Sequence, residues 1–251
     1  MATIKTKGII IKRINLGEAD KILTILTADR GKIRVIAKGM RKPGSKLGGF
    51  LELFRYNEYI LAEGRNLDLV TGASTIESFR QIGLSLHLLG LAYYIAELID
   101  KLVEETQDAD GIFDLTHSVF KEINQHKIPL DLLKSFFELN LLGVLGLRPE
   151  LDECIVCNKP INWQGKVGFS WMLGGMLDKE HLTNENHVMI LNIAEGNLLR
   201  CVANSSCKSL QMIESSADDI AKIARLTNSF MEYSIEQQLK SRNFLEEVMQ
   251  F

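Results

Sequence analysis

The sequence predicts an α+β, multidomain chain, and three observations carry that prediction. Roughly the first 75 residues are short β-branched segments punctuated by glycine, a helical period sets in at Leu84, and a Cys-x2-Cys pair, Cys154 and Cys157, interrupts the helical part. The chain has 251 residues, 46% hydrophobic and 24% charged, which suits a globule with a full core and excludes a disordered chain, a collagen-like chain or a disulfide miniprotein. The most apolar stretch, Leu84 to Ile99, carries His87 and Glu97 and falls short of the ~20 residues a bilayer needs. The N-terminus, MATIKTKGIIIKR, holds too few apolar residues in a row for a signal-peptide core, so a cytoplasmic address without membrane contact is expected.

Gly8 to Ile14, Asp20 to Ala28 and Lys32 to Lys38 read as strands, the third by its period-two alternation. Asp29-Arg30-Gly31 offers a glycine for the reversal between the second and third. Glu52 to Glu63 and Leu67 to Thr75 follow, split by Gly64-Arg65-Asn66. Five strands at this spacing suit a small closed barrel of the OB type, with an SH3-like barrel as the competing arrangement.

Lys38 to Gly49 cannot be a regular element, because Gly39, Pro43, Gly44, Gly48 and Gly49 break it. A mobile cationic loop is expected there. Between residues 29 and 46 the cations Arg30, Lys32, Arg34, Lys38, Arg41, Lys42 and Lys46 face only Asp29. Such a loop can track a phosphate backbone, so Lys32, Arg34, Lys38, Arg41, Lys42 and Lys46 are the candidate nucleic-acid contacts, with Lys12 and Arg13 as possible additions. Phe54, Tyr56 and Tyr59 are either stacking platforms or barrel core. Gly39 to Lys46 imitates a P-loop, but its lysine comes one place late and no helix follows, which argues against a nucleotide cradle.

From Leu84 the residues Leu88, Leu91, Ile95, Leu98 and Leu102 recur at steps of three and four, predicting a helix that others must cover. Further helices are expected over Ile112 to Asn124, Pro129 to Leu145 and Asp218 to Leu239, with a helical look to Leu191 to Val202. His87, His117 and His126 stand singly as packing or surface residues. No triad, carboxylate pair or nucleophile elbow emerges, which favours a binding protein over an enzyme.

The insertion starts at Leu151. Cys154-Ile155-Val156-Cys157 followed by Asp178 and His181 gives C-x2-C-x20-D-x2-H, a zinc-ribbon-like spacing whose four donors are all competent for zinc. A structural zinc on Cys154, Cys157, Asp178 and His181 is one reading, and a metal-free hairpin packed on Trp163, Phe169 and Trp171 the other. A pairing of the knuckle with Cys201 and Cys207 is less natural, since Cys201 looks like a core thiol. The expected domains are 1–79 for the barrel, 80–150 with 186–251 for the helices, and 151–185 for the insertion.

Charge divides along the same line. Residues 1–80 hold 15 Lys and Arg against 8 Asp and Glu, net +7, while the remainder, 14 against 24, is net −10. A polyanion partner is expected for the first part and protein partners for the second.

Several stretches then combine: Gly17-Glu18-Ala19-Asp20 with ILTILT, Asp29-Arg30-Gly31-Lys32, AKGMRKPGSKL, LELF, and the tail Leu239-Lys240-Ser241-Arg242-Asn243-Phe244-Leu245. With the order barrel, helices, cysteine insertion, helices, they resemble the bacterial RecO recombination mediators over essentially the whole chain. The resemblance implies a non-catalytic DNA-repair protein. It would bind single- and double-stranded DNA, anneal complementary strands, engage RecR and single-strand binding protein, and assist RecA loading. A hydrophobic groove taking the tail of single-strand binding protein would be consistent with it. Where many of those proteins carry a second C-x2-C, this chain has Asp178 and His181. An OB-fold RNA-binding protein and a protein-only adaptor are the alternatives that the residues by themselves leave open.

Overall fold

The computed structural model describes residues 3–45, 47–105, 111–182, 186–235, 239, 241, 244, 245 and 247. The chain divides into two compact units, Met1–Gln125 with Leu239–Phe251, and His126–Gln238.

In the first unit five strands close a barrel: β1 (Thr3–Leu16), β2 (Asp20–Thr27), β3 (Lys32–Ala37), β4 (Tyr56–Ala62) and β5 (Asp68–Glu77), in the order β1-β2-β3-β5-β4. All neighbours are antiparallel except β3 and β5, whose parallel pairing seals the barrel and leaves it no free edge. β1 can pair with both β2 and β4 because a bulge between Ile10 and Lys12 bends it. Gly8 lies where the bent strand crosses β2 most closely, and a Cβ there would come within 2.6 Å of Ile25. Ile10, Leu23, Ile25, Val35, Tyr59 and Leu61 fill the interior. The expected β2–β3 reversal forms at Gly31 (φ 64°), whose carbonyl accepts from both the backbone N–H and the hydroxyl of Thr27.

The fourth strand starts at Tyr56, later than the expected Glu52. Phe54 takes a left-handed conformation (φ 63°) that ends extended pairing and turns its ring edge-on to Tyr93 and Phe120. Those rings belong to helices α1 (Leu86–Leu102) and α2 (Ile112–Gln125), which pack in the same unit as the barrel. Leu84, expected to open the first helical stripe, sits instead in a short 3-10 turn (Arg80–Leu84) and is 77% exposed. On α1, Leu88, Leu91, Ile95 and Leu98 are buried as the periodicity predicts. The C-terminal signature returns to this helix: the Ser241 N–H donates to Glu97, and Leu245 lies against Gly90.

The second unit contains α3 (Leu130–Val144), a small sheet of β6 (Val167–Ser170), β7 (Gly175–Leu177) and β8 (Val188–Leu191), then α4 (Ile193–Asn204) and α5 (Ala217–Ile235). The insertion is more than the expected hairpin, because β8 joins it in the order β7-β6-β8 and leads directly into α4. A reciprocal capping box between Asn192 and Glu195 starts α4. The insertion's rings do not form a separate miniature core. Phe169 packs edge-on to Phe230 of α5, and Trp163 lies over Gly196 of α4 with the Arg200 guanidinium 5.1 Å from its ring. Among the described residues no helix is long and apolar enough to cross a membrane.

A buried polar cluster joins α3 to α5. Glu138 is fully buried and accepts from Lys134 (2.8 Å) and from the Thr227 hydroxyl (2.6 Å), while Lys134 also donates to Asn228. Removing one member strands the other charge in a dry site, whereas removing both leaves none. Lys134→Met should therefore lower stability in urea unfolding by about 3 kcal/mol, and the double variant Lys134→Met/Glu138→Leu should recover most of that loss.

Candidate functional site

The chain leaves the barrel at Lys38 and returns at Leu51, and the segment between is anchored at both ends. Gly39 (φ 64°) donates its N–H to the Asp20 carboxylate at 2.7 Å, and Arg41 donates its N–H to the Ala19 carbonyl at 2.9 Å and its guanidinium to the Gly17 carbonyl at 3.1 Å. These three bonds fasten the loop to the turn between β1 and β2 and to the first residue of β2. Met40 and Leu51 are buried in the barrel core and Leu47 packs against it. Between these anchors, turns follow one another through the bonds Lys42 to Gly39, Ser45 to Lys42, Gly48 to Ser45 and Phe50 to Leu47. Among the described residues the loop thus contains a series of hydrogen-bonded turns. Glycine and proline content reports the lack of a regular element and says nothing of such turns.

Lys38, Arg41 and Lys42 are exposed, and no carboxylate among the described residues lies within ion-pair distance of them. Lys46, the remaining loop cation, lies outside the described residues. The strand cations behave differently. Lys32 is only 6% exposed and donates its ammonium to the Asp100 carbonyl at the end of α1. Burial lowers its pKa, against the opposing pull of Asp100 and Glu105. Arg34 reaches Glu105 at 3.6 Å, Lys12 reaches Asp100 at 2.6 Å, Arg13 reaches Glu52 at 2.6 Å and Arg30 reaches Asp68 at 3.6 Å. Lys32 is thus engaged in a seam inside the unit, while Arg34 is exposed beside Glu105. The acids responsible, Asp68, Asp100 and Glu105, are remote in sequence from the cations they meet. The hint was a run of carboxylates, Glu97, Asp100, Glu104 and Glu105, at the end of α1.

The three rings considered for stacking are all engaged. Tyr59 is buried in the barrel, where burial drives its phenol far above the ordinary range although the Asn57 amide opposes this. Phe54 is buried among Tyr93 and Phe120, and Tyr56 lies against Phe113 and His117. His117 is a packing residue, stacked on Phe113 and 3.4 Å from Glu77. Phe50, which the sequence did not single out, is exposed at the end of the loop.

In the second unit Cys154, Cys157 and His181 converge, with one donor atom from each lying within 4.8 Å of the others. Cys154 Sγ is 3.6 Å from His181 Nδ1. One tetrahedral zinc with bonds of ~2.3 Å to sulfur and ~2.0 Å to nitrogen places its donors roughly 3.5 Å apart, so this donor set fits the ion. The knuckle is shaped by backbone bonds: Asn158 donates to the Cys154 carbonyl, and Ile155 to Met176 on β7. Burial resists ionisation of Cys154, but the N–H groups of Asp178, Val156 and Cys157 and the Cys157 thiol outweigh it and hold the Cys154 pKa below its usual value.

Asp178 is absent from this cluster. Its carboxylate accepts from the Lys179 N–H at 2.8 Å and caps the short 3-10 turn Lys179–His181, while its own N–H points at Cys154 Sγ at 3.5 Å. It thus caps the turn that carries His181 and bonds Cys154 through its N–H, while its carboxylate is not among the converging donor atoms. Cys201, expected to be a core thiol, is exposed on α4, and Cys207 is buried instead.

Comparison with known proteins covers nearly the whole chain. The family model described as Recombination protein O N terminal matches residues 1–79, and that described as Recombination protein O C terminal matches residues 84–243. A DNA repair protein RecO from Desulforamulus reducens is 32% identical over 249 residues, covering 98% of this chain and 95% of that one. One from a Roseiflexus species is 34% identical over 246 residues, covering 98% and 86%. One from Dehalococcoides mccartyi reaches 42% identity over 157 residues, 62% of each chain.

The division of labour at the knuckle is open to elemental analysis of protein purified from zinc-supplied cells. Zinc should be present in the wild type, lost in Cys154→Ser, and retained in Asp178→Asn, since asparagine can still cap the turn. Zinc loss in Asp178→Asn, or zinc unaffected by Cys154→Ser, would reject this ligand set.

Proposed function

This chain belongs to the RecO family of DNA repair and recombination proteins, and from that premise we propose that it binds DNA through its barrel loop and acts as a strand-annealing mediator. The observation that carries the reading is the contrast among its cations. Lys12 and Arg34 meet carboxylates and Lys32 a backbone carbonyl within the unit, whereas Lys38, Arg41 and Lys42 stand exposed, close together in sequence and without a carboxylate in ion-pair range, on a loop bonded to the β1–β2 turn; Lys5 and Lys7 on β1 are exposed as well. With Lys46 they are the proposed phosphate contacts. Each contact releases condensed counterions, which favours binding without regard to base sequence. Pinning the loop lowers the ordering cost of that contact. Annealing follows if two strands are held with their repulsion screened while their base edges stay free to pair.

Within this reading the partners are single- and double-stranded DNA, RecR and single-strand binding protein, with RecA assisted indirectly, in the cytoplasm at the nucleoid. A zinc ion held by Cys154, Cys157 and His181 would cross-link the knuckle to the turn after β7 and serve a structural purpose. The reading requires no catalytic step.

Fluorescence anisotropy with a labelled single strand at several salt concentrations tests the proposal. Arg41→Ala/Lys42→Ala/Lys46→Ala should weaken binding on the order of 100-fold at ~0.1 M salt and reduce the salt slope by about 2. Affinity near that of the wild type would refute the placement. Lys32→Met, by contrast, should leave affinity unchanged and lower the thermal midpoint, because it removes a contact to α1 and not one to phosphate.

A further inference from the structure

We propose that Phe50 is the ring on which an unpaired base stacks, giving the cationic loop a preference for single strands over duplex. The inference rests on the nucleic-acid reading of that loop and adds the group that meets the base. Phe50 is 39% exposed, and among the described residues it is the one exposed aromatic of the barrel segment.

Its placement is fixed from three sides. Leu47 before it and Leu51 after it are packed into the barrel core. The Phe50 N–H donates to the Leu47 carbonyl at 3.0 Å, and the Phe50 carbonyl accepts from the buried Asn57 amide at 2.8 Å. The backbone is therefore gripped while the side chain stays 39% exposed, so that it forgoes part of the ~1.5 to 3 kcal/mol that full burial of such a ring supplies.

The same turns bring the ring beside the charge. A Cβ built on Gly48 lies 3.7 Å from the Met40 carbonyl, so the outgoing and returning arms of the loop touch one residue from Arg41 and two residues from Phe50. Gly48 and Gly49, which precede the ring in the chain, carry no side chains, and a Cβ at Gly49 would meet nothing within 4 Å beyond its chain neighbours. An exposed ring with cations free of carboxylates on the same loop is the arrangement a nucleotide needs: phosphate to the cations, base to the ring. Duplex bases are already stacked and cannot use it.

The test compares a labelled oligothymidylate and a labelled duplex at one salt concentration, for wild type, Phe50→Ala and Phe50→Trp. Phe50→Ala should weaken oligothymidylate binding about 5- to 100-fold and leave duplex binding within about 2-fold. Phe50→Trp should keep the affinity, and its emission should be quenched by oligothymidylate and not by duplex. Unchanged oligothymidylate affinity in Phe50→Ala, or equal losses on both ligands, overturns the inference while the loop cations stand. Failure of wild type to bind either ligand overturns the loop reading itself. Circular dichroism on Phe50→Ala should match wild type, since the ring contributes nothing to the core.

Discussion

The first unit is organised around the seam in which α1 meets the barrel strands. Ile9 and Leu26 point away from the barrel interior yet are fully buried, and α1 packs against β1. Apolar burial there holds the helix in place, and the ions decide its register: Asp100 accepts from Lys12 through its carboxylate and from Lys32 through its carbonyl, and Glu105 stands opposite Arg34. Exposed members such as Lys12 contribute at most about 1 kcal/mol each. The buried ammonium of Lys32 is different, since it would be a liability without the carbonyl it bonds. The consequence is electrostatic. Lys12, Lys32 and Arg34 are thereby engaged within the unit, while Lys38, Arg41 and Lys42 on the loop beyond Ala37, like Lys5 and Lys7 on β1, are left without a carboxylate partner among the described residues.

This is why a charge count along the sequence does not distinguish cations paired within the unit from those left without a carboxylate. Counting within residues 29–46 finds seven cations and one acid, but residues 81–125 bring eight carboxylates and two cations into the same compact unit. No local window can see that Arg30 meets Asp68 or that Lys32 meets Asp100. What was legible was anything set by short-range chemistry. β2 and β3 and helices α1 to α3 lie within a few residues of their predicted bounds, because β-branched alternation, the Gly31 turn and the leucine spacing act locally. β4 starts late because the φ of Phe54 answers to two helices remote in sequence.

The insertion teaches the same lesson at closer range. A spacing rule offers both Asp178 and His181 as donors, but three residues apart on a tight turn they play opposite parts. Asp178 begins the turn, and its carboxylate is drawn to the free N–H there, the ordinary fate of an aspartate in that position. His181, at the other end, is thereby aimed at the cysteines. Aromatic residues were similarly legible as anchors but not in what they anchor to. Trp163 finds its seat on α4 only because residue 196 has no side chain, and a Cβ there would lie 2.4 Å from the ring.

A cationic loop bonded to the barrel, beside strand cations several of which are engaged within the unit, makes a coherent device for the proposed role. Phosphates are uniform along any strand, so a reader of phosphates should present charge in a fixed place and need not discriminate bases. Were Lys12, Lys32 and Arg34 also free, the barrel would offer a broader positive face. Engaging them within the unit limits the contact to fewer phosphates. Strands held so sparingly keep most of their base edges in solvent. Weak holding also lets a newly formed duplex depart, since each contact is exchangeable with salt ions. An aromatic at the loop's end adds affinity only while a base is unpaired, so that pairing itself loosens the grip.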